Sequence, residues 1–195
     1  MKKIILASAS PRRKELLEKI GLKFKVEVSD YKEDLSLKLT PSKLAEFLSL
    51  QKAKTIARKH KNEDVIIISA DTFVVLGEEL IGKPLNDKEA KEILTKLSGK
   101  MHLVITGFTI IDNLANKIST RSVITKVYFK KLTNKEIDEY VMSKEPIGKA
   151  GAYGIQDKAG VFVKKIEGDF FNIIGMPLCD LTEELKKFGV FYKFS

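Results

Sequence analysis

A chain of 195 residues with 44% hydrophobic and 31% charged residues, and without repeats, low-complexity tracts or Pro- or Gly/Ser-rich linkers, is long enough to bury a substantial core and reads as one domain over 1–195. Its formal charge of +9 favours anionic partners, yet Arg occurs only at 12, 13, 58 and 121, so most of the excess is Lys of the kind that usually decorates a solvated surface. No window approaches the apolar length of a membrane span, the start turns polar at Ser8 too early for a secretory signal, and the single Cys179 excludes an internal disulfide or a Cys-cluster metal site, all pointing to a cytoplasmic protein.

In chain order, the apolar run 3–7 predicts a strand and Ser8-Ala9-Ser10-Pro11-Arg12-Arg13 leads from it into a helix over 11–20. Ser10 can cap that helix and Pro11 suits its first position, so free N–H groups, the helix dipole and two guanidinium forks converge on a place for an anion. A capped surface helix with basic first-turn residues is the other reading. The acidic loop Ser29-Asp30-Tyr31-Lys32-Glu33-Asp34 follows, where Glu33 offers oxygen to a hard cation. A helix over 41–60 places Leu44, Leu48, Lys52 and Ile56 on one face, so Lys52 stands at a core position or snorkels out along its stem.

The strand 65–76 is the most apolar stretch, and Asp71 interrupts it; a carboxylate there needs a cation, a metal or donors beside it, unless the strand ends and Asp71 caps a turn. Lys83 lies in the turn-like Gly82-Lys83-Pro84, after an expected hairpin at Gly77. A helix over 87–98 and strands over 101–111 and 118–130 follow; the alternation of residues 118–131 argues for antiparallel pairing and hence a mixed sheet in an α/β or α+β chain. A Thr133-to-Glu136 capping box opens a helix over 133–143. The small residues from Lys149 to Gly160 permit close backbone approach to a flat ligand or form a Gly-rich hairpin, and the Gln156 amide matches a nucleobase edge that presents a carbonyl beside an N–H. A strand over 159–166 and the turn residues Glu167 to Asn172 and Gly175-Met176-Pro177, read as architectural, precede a helix over 177–188 with Cys179 on its apolar face, and a last strand is expected at 190–194. His60 and His102 have no metal-ligand partner at motif spacing, and neither a phosphate-binding Gly-x-x-x-x-Gly-Lys-Ser/Thr loop nor a Gly-x-Ser-x-Gly elbow is present.

Together these segments resemble the Maf family of septum-formation-type proteins, known as nucleoside triphosphate pyrophosphatases. The resemblance is carried by Ser8-x-Ser10-x-Arg12-Arg13, Leu50-x-Lys52-Ala53, Ala70-Asp71-Thr72, Gly82-Lys83-Pro84, His102-x-Val104-x-Thr106-Gly107, Ala152-Tyr153-Gly154-Ile155-Gln156, and Glu167-Gly168-Asp169 through Asn172 to Gly175-x-Pro177. It implies hydrolysis between the α and β phosphates to a monophosphate and pyrophosphate, with help from a divalent cation such as Mg²⁺ or Mn²⁺. It further implies Asp71 as the base that activates water, Ser8, Arg12, Arg13, Lys52 and Lys83 as phosphate contacts, and Glu33 with Asp71 as metal contacts. Arg12, Thr72 and Gln156 match the positions that separate a dTTP/UTP branch from a 7-methyl-GTP branch, and Gln156 points to pyrimidines. Asp157 departs from the Gly, and Gly148 from the Asp, that many relatives carry there. The implied fold is a long mixed sheet flanked by helices in two lobes around a cleft, similar to the inosine-triphosphate pyrophosphatases, in a protein that is often a homodimer. The alternatives are a 7-methyl-GTP preference, or a non-catalytic nucleotide- or nucleic-acid-binding regulator of cell division, for which no basic patch interleaved with aromatics is found.

Overall fold

The computed structural model describes residues 2–192. Its seven strands are β1 (Lys3–Leu6), β2 (Lys25–Val26), β3 (Val65–Leu76), β4 (Glu79–Ile81), β5 (Met101–Asp112), β6 (Lys117–Phe129) and β7 (Val163–Glu167). Its helices are α1 (Pro11–Lys19), α2 (Pro41–Lys59), α3 (Asp87–Leu97), α4 (Asn134–Met142), α5 (Phe170–Ile174) and α6 (Leu178–Lys186). The strands form one sheet in the order β2-β1-β3-β5-β6-β7, with β4 paired to β3. β1 runs parallel to β2 and β3, whereas β3–β4 and β6–β7 are antiparallel, so the expected mixed sheet of an α/β chain is what forms.

Two compact units divide the chain. The first comprises residues 1–71, 106–123 and 175–195, and the second residues 72–105 and 124–174, so the division falls within β3, β5 and β6. In the first, Ile5, Ala7, Ala53, Ile56, Val65, Ile67 and Ile111 pack into one cluster. α2 is seated there by polar contacts as well: Ser49 Oγ lies 2.9 Å from Thr109 Oγ1, and Ser69 Oγ donates to the Ser49 carbonyl at 2.6 Å, all of them buried. Gly107 on β5 permits this approach, because a Cβ there would stand 2.3 Å from the carbonyl carbon of Ala45. The second unit has its own core around Leu94, Val127, Phe129, Ile137, Tyr153 and Phe162, where Phe129, Tyr153, Phe162 and Tyr140 meet edge to face.

Several local expectations are met by their own physics. Ser10 caps α1 with Pro11 at its start, the Thr133–Glu136 capping box is formed, and β3 turns into β4 at Gly77 with φ of 63°. Others are corrected. The expected strand over 159–166 begins only at Val163, because residues 158–162 wind into a short 3₁₀ turn that buries Ala159 and Phe162. Residues 149–160 contain two such turns where a Gly-rich hairpin was an option. Residues 190–192 carry no strand, and the rest of the strand expected at 190–194 lies outside the described residues. Cys179 is exposed; α6 buries Leu178, Leu181 and Leu185, and the residue next to Leu178 points about 100° away. No helix among the described residues is long and apolar enough to cross a membrane.

Candidate active site

The loop after β1 leaves the sheet beside β3, with Leu6 in register with Ile68 and the Ala7 N–H donating to the Ile68 carbonyl at 2.7 Å. This brings Ser8 to the carboxyl end of β1, where open α/β sheets place their ligands, immediately before the amino end of α1. Ser8 is 8% exposed, and its Oγ accepts from the Ser10 N–H at 3.2 Å and from Arg13 Nη1 at 3.1 Å. Arg13 Nε donates to the Gly175 carbonyl at 2.9 Å, so the loop before α6 holds the second edge of the guanidinium. Burial pulls the Arg13 pKa down; the negative charges of Asp71 and then Glu33 oppose this, while the positive charge of Arg12 adds to it. A half-buried guanidinium that retains such charge is a strong partner for an incoming phosphate.

Lys52 reaches the same cluster from α2. Its Nζ lies 2.7 Å from Glu33 Oε1 and 3.2 Å from Asp71 Oδ1, so the cation that the apolar strand required beside Asp71 comes from the helix face that the sequence marked as anomalous. The side chains of Lys52 and Asp71 are 14% and 9% exposed, a desolvated pair, whereas Glu33 is more open at 38%. β3 continues through Asp71 to Leu76, which removes the turn-cap reading of that residue. Lys52 thus meets both carboxylates, Arg13 feels the charge of each, and Arg12 stands near enough to Arg13 to repel it, so the cluster carries positive charge of the sign a polyphosphate needs.

The donor chemistry also suits a hard divalent ion. Two carboxylates converge on one ammonium, and Mg²⁺ is characteristically held by one or two carboxylates with phosphate and water completing the shell. Among the described residues no cluster of three His, Cys, Asp or Glu forms a complete protein cage.

The remaining candidate residues belong to the second unit. Thr72 is half-buried on β3, while Lys83 and Gln156 are exposed. The turn that carries Lys83 is fixed on both sides: the Gly151 N–H donates to the Gly82 carbonyl at 3.1 Å and the Gly148 N–H to that of Pro84 at 3.3 Å. Gln156 Nε2 donates to Asp157 Oδ2 at 3.0 Å. Below that loop, His102 Nε2 lies 2.8 Å from the Tyr153 hydroxyl inside the aromatic core. Burial lowers the His102 pKa to about 4 and pushes that of Tyr153 well up, so both stay neutral near pH 7.

Sequence reasoning missed the Gly175 carbonyl as a holder of Arg13 and the buried His102–Tyr153 pair. The first had no signal, since any residue carries a carbonyl; the second had only a partial one, a histidine inside the apolar strand expected at 101–111.

The Maf-like protein family model matches residues 3–188. A dTTP/UTP pyrophosphatase of Bacillus cereus is 48% identical over 190 residues, covering 97% of this chain and 92% of that protein. Another of that name, from Alkaliphilus metalliredigens, is 47% identical over 187 residues and 96% of each chain. Among solved structures, a HAM1 protein from Coxiella burnetii superposes with a TM-score of 0.54 at 15% identity, covering 96% of this chain and all of that one, a likeness of fold.

Proposed function

Because this chain belongs to the Maf-like protein family, we propose that it hydrolyses dTTP and UTP to the nucleoside monophosphate and pyrophosphate. The observation that carries the reading is the pairing of the Asp71 carboxylate with Lys52 at 3.2 Å within a cluster that includes the half-buried Arg13. The near-full-length relatives named dTTP/UTP pyrophosphatases support the choice of nucleotide.

In this reading Ser8, Arg12, Arg13, Lys52 and Lys83 bind and orient the phosphates, and the surplus positive charge offsets the charge that develops on the leaving pyrophosphate. Asp71 takes a proton from a water that attacks the α phosphorus; the bond from that phosphorus to the oxygen bridging to the β phosphate breaks, and pyrophosphate leaves. Lys52, 3.2 Å away, holds the Asp71 carboxylate in place. Glu33 and Asp71 would hold a divalent cation, which supplies charge neutralisation at the phosphates. Arg12, Thr72 and Gln156 set the base preference, with Gln156 pairing to the pyrimidine edge. The family resemblance also implies one catalytic domain working as a cytoplasmic homodimer, and sedimentation of the purified chain tests the association state.

The test is a panel of nucleoside triphosphates, 7-methyl-GTP included, with Mg²⁺ or Mn²⁺. Pyrophosphate release is expected to be fastest from dTTP and UTP. No release from any nucleotide overturns the enzyme reading, and a preference for 7-methyl-GTP overturns the role given to Gln156. Salt-sensitive polynucleotide binding that survives loss of Asp71, without turnover, would establish the non-catalytic reading instead.

A further inference from the structure

We propose that Asp157, clamped by Lys149, locks the Gln156 amide in one orientation and thereby selects uracil and thymine over cytosine. This rests on the reading of Gln156 as the residue that pairs with the base.

Gln156 Nε2 donates to Asp157 Oδ2 at 3.0 Å, and Lys149 Nζ donates to the same oxygen at 2.6 Å. The clamp is rooted in the body of its unit. Lys149 Nζ also lies 3.5 Å from Glu145 Oε1, the two side chains being 14% and 16% exposed. That same oxygen accepts the Tyr140 hydroxyl at 2.9 Å, and the Tyr140 ring meets Phe162 edge to face in the core. Gly154 makes room for the assembly, since a Cβ there would come within 2.5 Å of Asp157 Oδ2, 3.1 Å of Lys149 Nζ and 3.2 Å of Gln156 Nε2. Three polar groups therefore close over one bare backbone position.

The chemistry follows from the donor and acceptor inventory. A carboxylate only accepts, so the amide must turn its NH₂ group toward Asp157; turned the other way, the Gln156 carbonyl would oppose another oxygen. What remains for a ligand is one N–H and one carbonyl in a fixed order. Uracil and thymine present an N3–H donor beside a carbonyl, whereas cytosine presents an N3 acceptor beside an amino donor. With the base seated in one pose, an unrestrained glutamine reads either edge by rotating its amide half a turn, and a locked one reads only the first. Asp157 is thus a positioning residue, and it stands where this chain departs from the Gly that the family resemblance leads one to expect.

The test measures kcat and KM for UTP, dTTP, CTP and dCTP with Mg²⁺ on the full chain and on Asp157→Asn, Asp157→Glu and Gln156→Ala, with melting temperatures to register any general damage. Asparagine offers either a donor or an acceptor, so Asp157→Asn is expected to lower the UTP-to-CTP ratio of kcat/KM on the order of tenfold, through a higher KM for UTP and a lower KM for CTP. Asp157→Glu, still acceptor-only, is expected to retain the preference, and Gln156→Ala to lose it. If Gln156→Ala loses discrimination while Asp157→Asn keeps the wild-type ratio, the lock is wrong and the reading of Gln156 stands. If Gln156→Ala itself keeps the ratio, or the wild-type chain turns over CTP as fast as UTP, the reading of Gln156 falls and the lock with it. An equal loss on all four nucleotides in Asp157→Asn makes Asp157 merely structural and also overturns the proposal.

Discussion

His60 and His102, one in each unit, stand in opposite surroundings. In the first unit His60 caps α2 with Nε2 at 2.7 Å from Glu27 and Nδ1 at 3.0 Å from Glu63, and these hydrogen bonds raise its pKa. In the second, His102 is enclosed by Phe129 and Tyr153, and burial alone lowers its pKa to about 4. The candidate sites differ in the same way. Arg13, Lys52 and Asp71 are held inside by countercharges, while Tyr153 and Gln156 sit on a framework of rings and backbone hydrogen bonds. A site that must hold polyphosphate is built from charge that its ligand completes. The surroundings of Gln156, proposed to read the base, rest instead on neutral packing, with the charged Glu145, Lys149 and Asp157 linked beside it.

The sharpest way to break the charged side is Asp71→Asn. Turnover is expected to fall by about 10²- to 10⁴-fold, the usual worth of a general base, with the fold retained because Lys52 keeps Glu33 as a partner. Steady-state pyrophosphate release checks the rate, and circular dichroism checks the fold.

The two histidines give the next largest effect. The native His102 pKa lies below its unfolded value of 6.5, so the unfolded chain binds the extra proton first and stability falls as pH drops from about 6.5 towards 4. The loss is about 2 kcal/mol between pH 7 and pH 5. His60 has the reverse sign: its raised native pKa contributes stability below pH 6.5 that is lost as pH rises through the native value. Urea unfolding across this range, followed by probes in each unit, is expected to show the second unit weakening first on acidification and His102→Gln to flatten that slope.

Gly107→Ala is expected to cost about 1–3 kcal/mol, because its methyl group would meet the backbone of Ala45 and Glu46 and push α2, with Lys52, off the sheet. Activity should fall along with stability. Gly82→Ala, where a Cβ meets open space, is the contrast in the second unit and is expected to stay within about 0.5 kcal/mol. Thermal melts of the two variants decide the matter. A smaller loss than that of Gly107→Ala is expected for Thr133→Ala, which removes the α4 capping box at about 1 kcal/mol and should leave turnover at its wild-type rate.

Much of this chain was legible locally. The Ser10–Pro11 entrance to α1, the strand 65–76 interrupted by Asp71 and the Thr133 capping box depend on residues a few positions apart, where periodicity and cap chemistry operate. The same rules placed Lys52 on a buried face and demanded a cation near Asp71. They went astray at Cys179, assigned to an apolar face on the strength of its neighbours, and at residues 158–162, where an apolar run too short to reveal its period coils instead of extending.

Sequence by itself determined most of the elements, the mixed sheet and the inventory of groups suited to a nucleoside triphosphate. Tertiary structure decided the partners: Lys52 between Glu33 and Asp71, Arg13 on the Gly175 carbonyl, His102 on Tyr153, and Lys149 drawing Asp157 against Gln156. The reason is physical. A helix or strand is written in short-range sterics and hydrogen bonding, but an ion pair between distant segments exists only once packing has closed the chain and excluded water. Local periodicity singled out Lys52 at a core position, but only packing decided that Glu33 and Asp71 are the carboxylates it meets there.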